Sequence, residues 1–192
     1  MSSYFRKILS DTAEVVAPRL LGSYLVRELN GHKLVGKIIE TEAYDQIDAA
    51  SHSYHGQTPR TDVMFGAPGY LYVYFTYGMH YCCNVVTGRP GEGSAVLIRA
   101  LVPLEGVETM SKNRHGVSEM NLTNGPAKLC QAFEINKDLN GHDLSLPPLQ
   151  LVIKPRLIKS SIVQTTRIGI RQAKDTPWRF YLKNSPYVSR NG

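Results

Sequence analysis

Gly69-Tyr70-Leu71-Tyr72-Val73-Tyr74-Phe75-Thr76-Tyr77-Gly78-Met79-His80-Tyr81 is the stretch of this chain that says most about its fold. Tyrosines alternate with apolar side chains over residues 70–75, which is the period of a β-strand with one aromatic face. The alternation breaks at Gly78, because glycine permits a turn, and then resumes. The stretch therefore predicts a β-hairpin with Tyr77 and Met79 near its tip. Its tyrosines either fill a core or contact nucleic-acid bases, by stacking or by wedging into a duplex.

A second predicted hairpin precedes this one. Residues 23–29 and 32–41 are rich in β-forming side chains, and Asn30-Gly31 joins them. This dipeptide is favoured in two-residue type I′ hairpin turns. The second strand continues to Tyr44, so we expect a long strand early in the chain.

The end of that long strand carries two carboxylates. By alternation, Glu40, Glu42 and Tyr44 share one face, and Ile39 and the intervening residues share the other. Two carboxylates and a phenol on one face indicate either a reactive site or a solvated edge.

A single arginine, Arg99, interrupts the apolar strand predicted over residues 94–101. A buried arginine is rarely left unpaired, so we expect a carboxylate partner for it. Set against such an arginine and aromatic walls, Glu42 is a candidate general base acting on a planar ligand.

The remaining segments give weaker signals. Proline directly after Gly125 predicts a short helix over residues 127–133. We also expect a loosely ordered lead-in over residues 1–10, a helix capped by Asp11 and running to about Ala17, an irregular loop over 45–68, a fraying helix within 105–120, and final strands near 149–153 and 178–183.

Composition restricts the class of protein. The 192 residues are 42% hydrophobic and 20% charged, and they contain no linker or repeat, so we expect one domain over residues 1–192. The net charge of +6 permits a polyanionic partner without requiring one. Three cysteines without zinc spacing, no signal peptide and no long apolar run predict a reduced, soluble, cytoplasmic protein.

Two other functions compete with a general-base site. Glu40, Glu42, Asp45 and Asp48 together offer the oxygen ligands that Mg²⁺ prefers, as in a metal-dependent phosphodiesterase, although the two aspartates lie in a loop of undefined register. A noncatalytic module in which the tyrosines grip bases is the second alternative. The sequence contains no phosphate-binding-loop, dinucleotide-binding or serine-hydrolase motif.

Taken together, these blocks of sequence resemble the alkyladenine (3-methyladenine) DNA glycosylase family. They stand in family order from about Leu20 to Ser189 and so span nearly the whole chain. The matching blocks are Glu40-Thr41-Glu42-Ala43-Tyr44, His52-Ser53, Leu71-Tyr72-Val73-Tyr74, Tyr77-Gly78-Met79, Asn84-Val85, Leu97-Ile98-Arg99-Ala100-Leu101, Gly125-Pro126-Ala127-Lys128-Leu129-Cys130, Arg167-Ile168-Gly169 and Trp178-Arg179-Phe180-Tyr181.

The resemblance implies both a fold and an activity. The fold would be α+β, a single mixed domain in which helices flank a curved antiparallel sheet and a tyrosine-bearing hairpin protrudes. The activity would be that of a monofunctional DNA glycosylase, which releases alkylated or deaminated purines from duplex DNA and leaves an abasic site. It implies no cofactor, no metal and no membrane. The chain would act as a monomer, cytoplasmic and nucleoid-associated as in bacterial members.

The resemblance also implies catalytic roles. Glu42 would be the general base that deprotonates a water for attack on the sugar C1′. Arg99 and the backbone carbonyl of Ile168 would help to hold that water. Glu40 would give structural or electrostatic support.

Further residues would bind the base and the duplex. Tyr44 would stack on one face of the flipped base, with His52 and Tyr74 on the other. Asn84 would clash with the 2-amino group of normal guanine. Tyr77 would enter the duplex where the nucleotide left, with Met79 beside it.

Overall fold

The structure is a computed structural model that describes residues 2–76 and 78–190. Its strands are β1 (Tyr24–Leu29), β2 (His32–Tyr44), β3 (Leu71–Thr76), β4 (His80–Val86), β5 (Ala95–Glu105), β6 (Leu149–Val152), β7 (Ile162–Thr165) and β8 (Arg179–Leu182). Its α-helices are α1 (Ser2–Leu9), α2 (Ala13–Leu20), α3 (Val107–Asn113) and α4 (Pro126–Ala132). Short 3₁₀ turns lie at Asp62–Phe65, Glu119–Asn121, Lys137–Leu139 and Lys159–Ser161.

These strands form one antiparallel sheet that curls into a half-barrel. The order is β3-β4-β5-β2-β1-β6, with β8 pairing both β2 and β7. Helix α2 packs on β2 and β5, and α4 packs on β4, so the main core lies between the sheet and these helices. The predicted α+β class with a curved antiparallel sheet is confirmed.

β2 is the central strand of the sheet. Its first half pairs with β1 across Asn30-Gly31, whose φ angles of +48° and +79° fit the predicted type I′ turn. Its second half pairs with β8 instead, while β5 runs along its other edge. The carboxylate-bearing end of β2 therefore has a neighbouring strand on both sides.

A β-bulge in β2 changes the predicted alternation. Ile38 and Glu40 pair with consecutive residues of β5, so Ile39 between them is an extra residue. Ala43 lies in the main core, but Ile39 packs in a separate cluster with Ala100. The prediction that Ile39 shares a face with Ala43 is wrong, because the bulge shifts the alternation by one residue.

The aromatic stretch forms the hairpin of β3 and β4, which pair along the length of β3. Leu71 and Val73 belong to the main core, whereas Tyr72 and Tyr74 lie in a second cluster, as the alternation predicts. Tyr77, predicted near the tip, lies outside the described residues.

Two N-terminal expectations are corrected. Helix α1 forms where a loose lead-in was expected, because Phe5 and Leu9 pack against the core. Helix α2 begins after Thr12 rather than Asp11 and continues past Pro18, because its buried apolar face holds the last turn against the sheet.

Elsewhere, α4, β6 and β8 lie close to their predicted positions. The helix expected within 105–120 is shorter, at Val107–Asn113, and the 45–68 loop contains one 3₁₀ turn. Strand β7 was not predicted, because its four half-buried or exposed residues lack an apolar alternation. No helix within residues 2–76 and 78–190 is long and apolar enough to cross a membrane.

Candidate active site

Glu42 lies in the middle of the sheet, in β2 between β5 and β8, and its side chain is fully buried. Its Oε2 accepts a hydrogen bond from the Tyr44 hydroxyl at 2.8 Å and lies 3.3 Å from Nη1 of Arg99. Its Oε1 accepts the backbone N–H of Ile168 at 2.8 Å. Four of the predicted site residues therefore meet at one carboxylate, and Arg99 has the acidic partner that the sequence predicts.

Glu40 binds Arg99 from a second side. Its Oε1 accepts hydrogen bonds from Nε of Arg99 at 3.1 Å and from Nε of Arg179 at 2.7 Å. Ser189 donates its hydroxyl to Oε1 at 2.8 Å and its N–H to Oε2 at 2.6 Å. Burial acts to lower the pKa of Arg99, but the Glu42 and Glu40 carboxylates outweigh it and raise that pKa, so the guanidinium stays charged.

A cavity of about 560 Å³ opens beside this cluster. Tyr44, Arg99 and Ile168, the three partners of Glu42, line the cavity, whereas Glu42 lies one layer behind them. The volume falls within the range of about 300–1,000 Å³ that is typical of small-molecule sites. Among its other lining residues are His52, Tyr72, Tyr74, Cys82, Asn84 and Leu97.

His52 and two tyrosines of β3 form an aromatic group in this cavity. His52 Nδ1 lies 3.1 Å from the Tyr72 hydroxyl, and its ring meets Tyr74 edge-on with centroids 4.5 Å apart. Burial among these rings, together with repulsion from Arg60, lowers the pKa of His52 to about 4. His52 is therefore neutral at pH 7.

The two serines on either side of His52 hold its loop in place. The buried Ser53 donates its hydroxyl to the Gly93 carbonyl at 2.7 Å and lies 2.7 Å from the Ser51 hydroxyl. A Cβ atom at position 93 would come within 2.5 Å of Cβ of Ser53. Glycine at this position thus lets the His52 loop lie directly against the segment that leads into β5.

Two interactions fix Tyr44, a hydrogen bond from its hydroxyl and a guanidinium over the face of its ring. Burial and the adjacent Glu42 carboxylate raise the pKa of Tyr44 well above its usual value, so the phenol stays protonated and donates to Glu42. The guanidinium of Arg167 lies over the Tyr44 ring, 4.8 Å from its centroid. Arg167 in turn forms a bidentate ion pair with Asp48, with Nη2 2.9 Å from Oδ1.

Two residues of β4 also face the cavity. The Asn84 side chain donates to the Tyr72 carbonyl at 3.1 Å, which orients its amide. Burial raises the pKa of the Cys82 thiol to about 11, so this cysteine is an unreactive neutral thiol at pH 7. Cys83, the next residue, faces the main core, as the predicted strand alternation requires.

The carboxylates considered as magnesium ligands do not converge. Glu40 binds two arginines, Glu42 binds one, and Asp48 is paired with Arg167. Within the described part of the chain, no group of three or more histidine, cysteine, aspartate or glutamate side chains is arranged to hold a metal ion.

Comparison with known proteins shows the family of this chain. The family model described as methylpurine-DNA glycosylase (MPG) matches residues 7–186. The chain belongs to this family. The resemblance inferred from the sequence blocks is thereby confirmed.

Relatives of the chain in this methylpurine-DNA glycosylase family cover almost its whole length. A protein of Carboxydothermus hydrogenoformans is 56% identical over 186 residues, which is 96% of this chain and 97% of the relative. A protein of Desulfitobacterium hafniense is 49% identical over 197 residues, again 96% and 97%. One of Methanoculleus marisnigri is 50% identical over 178 residues, 91% and 92%. Each carries the name "Putative 3-methyladenine DNA glycosylase".

Several residues that surround Glu40 and Glu42 in this methylpurine-DNA glycosylase family member have no role that the sequence predicts. Arg179 carried a usable signal, because it is a charged residue beside apolar positions in a predicted strand, like Arg99. The sequence suggests Asp48 only as a candidate metal ligand, because its partner Arg167 lies 119 positions further along the chain. Ser189 carried no signal, since nothing local predicts that the C-terminal segment reaches Glu40.

Proposed function

We propose that this protein is a monofunctional DNA glycosylase of base excision repair. It flips alkylated or deaminated purines out of duplex DNA, hydrolyses their N-glycosidic bond and leaves an abasic site. It acts as a monomer, without a metal, a cofactor or a lyase step. The observation that carries this proposal is the buried Glu42 carboxylate, which is hydrogen-bonded or ion-paired to three residues that line a cavity of suitable size for a base.

The chemistry proposed for Glu42 is activation of water. A water that enters between Arg99 and the backbone carbonyl of Ile168, in the wall that separates Glu42 from the cavity, attacks C1′ of the flipped nucleotide, and Glu42 takes its proton. The C1′–N9 bond breaks, and its electron pair leaves with the purine. The sugar passes through an oxocarbenium-like state, which the negative charge of Glu42 stabilises.

The supporting residues suit this role. Backbone N–H and arginine contacts orient the Glu42 carboxylate before substrate arrives, and this preorganisation is what makes electrostatic catalysis efficient. A cationic alkylated purine is a good leaving group because it departs without protonation. One carboxylate is therefore sufficient, whereas glycoside hydrolysis usually needs two.

Stacking in the cavity compensates for base flipping. Extruding a nucleotide costs a few kcal/mol, and less when its pairing is already damaged. Stacking on aromatic side chains returns roughly 1–3 kcal/mol per base, and we assign it to Tyr44 on one face and to His52 and Tyr74 on the other. Because His52 is neutral at pH 7, it does not repel a positively charged alkylated base.

Asn84 is proposed to exclude normal guanine. Replacing it with alanine should raise the release of guanine by about tenfold, which corresponds to about 1.4 kcal/mol of barrier, because the clash with the 2-amino group is removed. Hypoxanthine, which lacks that group, is the internal control and should be released no faster. The measurement is single-turnover base release from matched duplexes. Equal effects on both bases would contradict this role.

Tyr77 and Met79 are proposed to occupy the gap in the duplex. Met79 is 71% exposed, as a wedge residue must be. We expect Tyr77→Ala to weaken binding to lesion DNA by roughly tenfold or more, since base–aromatic stacking is worth roughly 1–3 kcal/mol. The control is Tyr4→Ala, which removes an exposed tyrosine of α1. Fluorescence anisotropy measures both, and unchanged affinity in Tyr77→Ala would contradict the assignment.

The experiment that tests the function is base release from duplex oligonucleotides. Each carries one 3-methyladenine, hypoxanthine or ethenoadenine, and EDTA is present throughout. Release of free base, with strand cleavage only after alkali, would establish a metal-independent glycosylase without lyase activity. Strand cleavage that EDTA abolishes would instead indicate a phosphodiesterase. Binding without release of any of the three bases would indicate a noncatalytic module.

A further inference from the structure

The proposed chemistry assigns no role to the buried ion pair between Arg167 and Asp48. Both side chains are almost fully buried, at 0% and 2% exposure. The contact is bidentate, through Nη1 to Oδ2 and Nη2 to Oδ1. Both residues lie in irregular segments, between β2 and β3 for Asp48 and between β7 and β8 for Arg167.

We propose that Arg167 and Asp48 form a positioning pair that fixes Tyr44 and Ile168, and through them the general base Glu42. This inference rests on the proposed function, because it gives the pair a role in the same reaction. Neither residue touches the cavity; each acts through others.

The first link runs to Tyr44. Nη1 of Arg167 donates to the carbonyl of Ala43 at 2.9 Å, so the guanidinium is bonded to the backbone next to Tyr44. The same guanidinium covers the Tyr44 ring at 4.8 Å, on a face of the ring that is therefore closed to a base. The position of Arg167 thus sets both the tilt of this ring and the reach of its hydroxyl to Glu42.

The second link runs to Ile168, which follows Arg167 in the chain. Ile168 donates its backbone N–H to Oε1 of Glu42 at 2.8 Å. Ile168 lies outside the regular strands, and it directly follows Arg167, whose side chain is anchored to the Ala43 carbonyl and to Asp48. Movement of Arg167 by a fraction of an ångström would lengthen the bond to Glu42.

The burial of the Arg167–Asp48 pair indicates a role beyond stabilising the fold. A buried ion pair is seldom more stabilising than apolar side chains of the same volume, because its desolvation offsets its attraction. A planar fork that binds a carboxylate, a carbonyl and an aromatic ring at once instead provides directional precision. That precision is required where the carboxylate must meet a water in one geometry.

The test compares Asp48→Asn with Asp143→Asn. Asp143 is also ion-paired, to Arg6 at 2.6 Å, but it lies outside the cavity, so its variant controls for loss of an ion pair. We expect Asp48→Asn to lower the single-turnover excision rate roughly ten- to a hundredfold with lesion-DNA affinity little changed. Arg167→Lys keeps the positive charge but loses the two parallel N–H donors of the guanidinium, so it should lower the excision rate as Asp48→Asn does.

Two readouts separate positioning from stability. The single-turnover rate should fall in Asp48→Asn and Arg167→Lys while the affinity for lesion DNA stays close to that of the wild type, because the geometry around the general base is lost and the cavity wall is kept. Neither quantity should change in Asp143→Asn, even if that variant melts at a lower temperature. Emission from Trp178, the single tryptophan, reports displacement of Arg167 independently of activity, because Arg167 lies 5.4 Å from its ring.

The outcomes are distinct. A slower rate and a changed Trp178 emission in both site variants, with neither in Asp143→Asn, would support the positioning pair. An active wild type whose Asp48→Asn variant keeps the wild-type rate and Trp178 emission would overturn this inference alone. A wild type that releases none of the three lesion bases would overturn the proposed function, and this inference with it.

Discussion

Glu42→Gln is expected to slow base release roughly a hundredfold to ten-thousandfold, which is the range for loss of a general base. Glutamine has the same shape and retains an oxygen that can accept the Ile168 N–H, so the site should stay folded. Its amide cannot take a proton from water, and it removes the negative charge next to the developing oxocarbenium ion. Binding of lesion DNA should be largely preserved, because Glu42 lies behind the cavity wall.

The measurement is single-turnover release of the base that the wild type releases best, at saturating enzyme. The matched control is Glu105→Gln, which neutralises a carboxylate at the far end of β5 that is 52% exposed and pairs with Lys33. That variant should excise at the wild-type rate. A Glu42→Gln enzyme as fast as the control would show that another group activates the water, and the proposed mechanism would then be wrong.

Glu40→Ala is expected to have the largest effect on stability, lowering the free energy of unfolding by about 3–5 kcal/mol. Glu40 is fully buried and accepts hydrogen bonds from Arg99, Arg179 and Ser189. Its removal leaves two buried guanidinium groups without their shared carboxylate. It also releases the C-terminal segment at Ser189, which is tied to the sheet through both oxygens of Glu40.

Urea unfolding at pH 7 measures this effect, with Glu28→Ala as the control. Glu28 is an exposed glutamate of β1, and its replacement should change stability by no more than about 0.5 kcal/mol. Similar unfolding free energies for the two variants would show that the arginines find other partners or water once Glu40 is gone. Glu40→Gln, which keeps one acceptor oxygen, should lie between Glu40→Ala and the wild type.

These two expectations distinguish neighbouring carboxylates that strand alternation places on the same face of β2. Both glutamates lie on β2 two residues apart, and both contact Arg99. Glu40 is surrounded by cationic and hydroxyl donors, whereas the residues that contact Glu42 also line the cavity. Loss of Glu42 should therefore impair chemistry before stability, and loss of Glu40 should do the reverse.

Much of the fold was predictable because its signals are local. The Asn30-Gly31 turn, the alternation of Tyr72 and Tyr74, and the proline that opens α4 each depend on residues that are adjacent in sequence. The bulge at Ile39 was not predictable, since it depends on the register between β2 and β5, which are far apart along the chain. Helix α1 was missed for the same reason, because packing against the core stabilises it.

The sequence by itself determined the residue types of the site and the family to which the chain belongs. Strand alternation places Glu42 and Tyr44 on one face of the same strand, whatever the rest of the fold does. The cost of burying an unpaired charge likewise predicts that Arg99 has an acidic partner. Only the tertiary structure decided that Arg99 meets both Glu40 and Glu42, that Glu42 lies behind the cavity wall, and that Arg167 joins Asp48 to Tyr44. These contacts join segments more than 50 positions apart, and their geometry is set by how the sheet curls and how the loops pack, which no local pattern of residues contains.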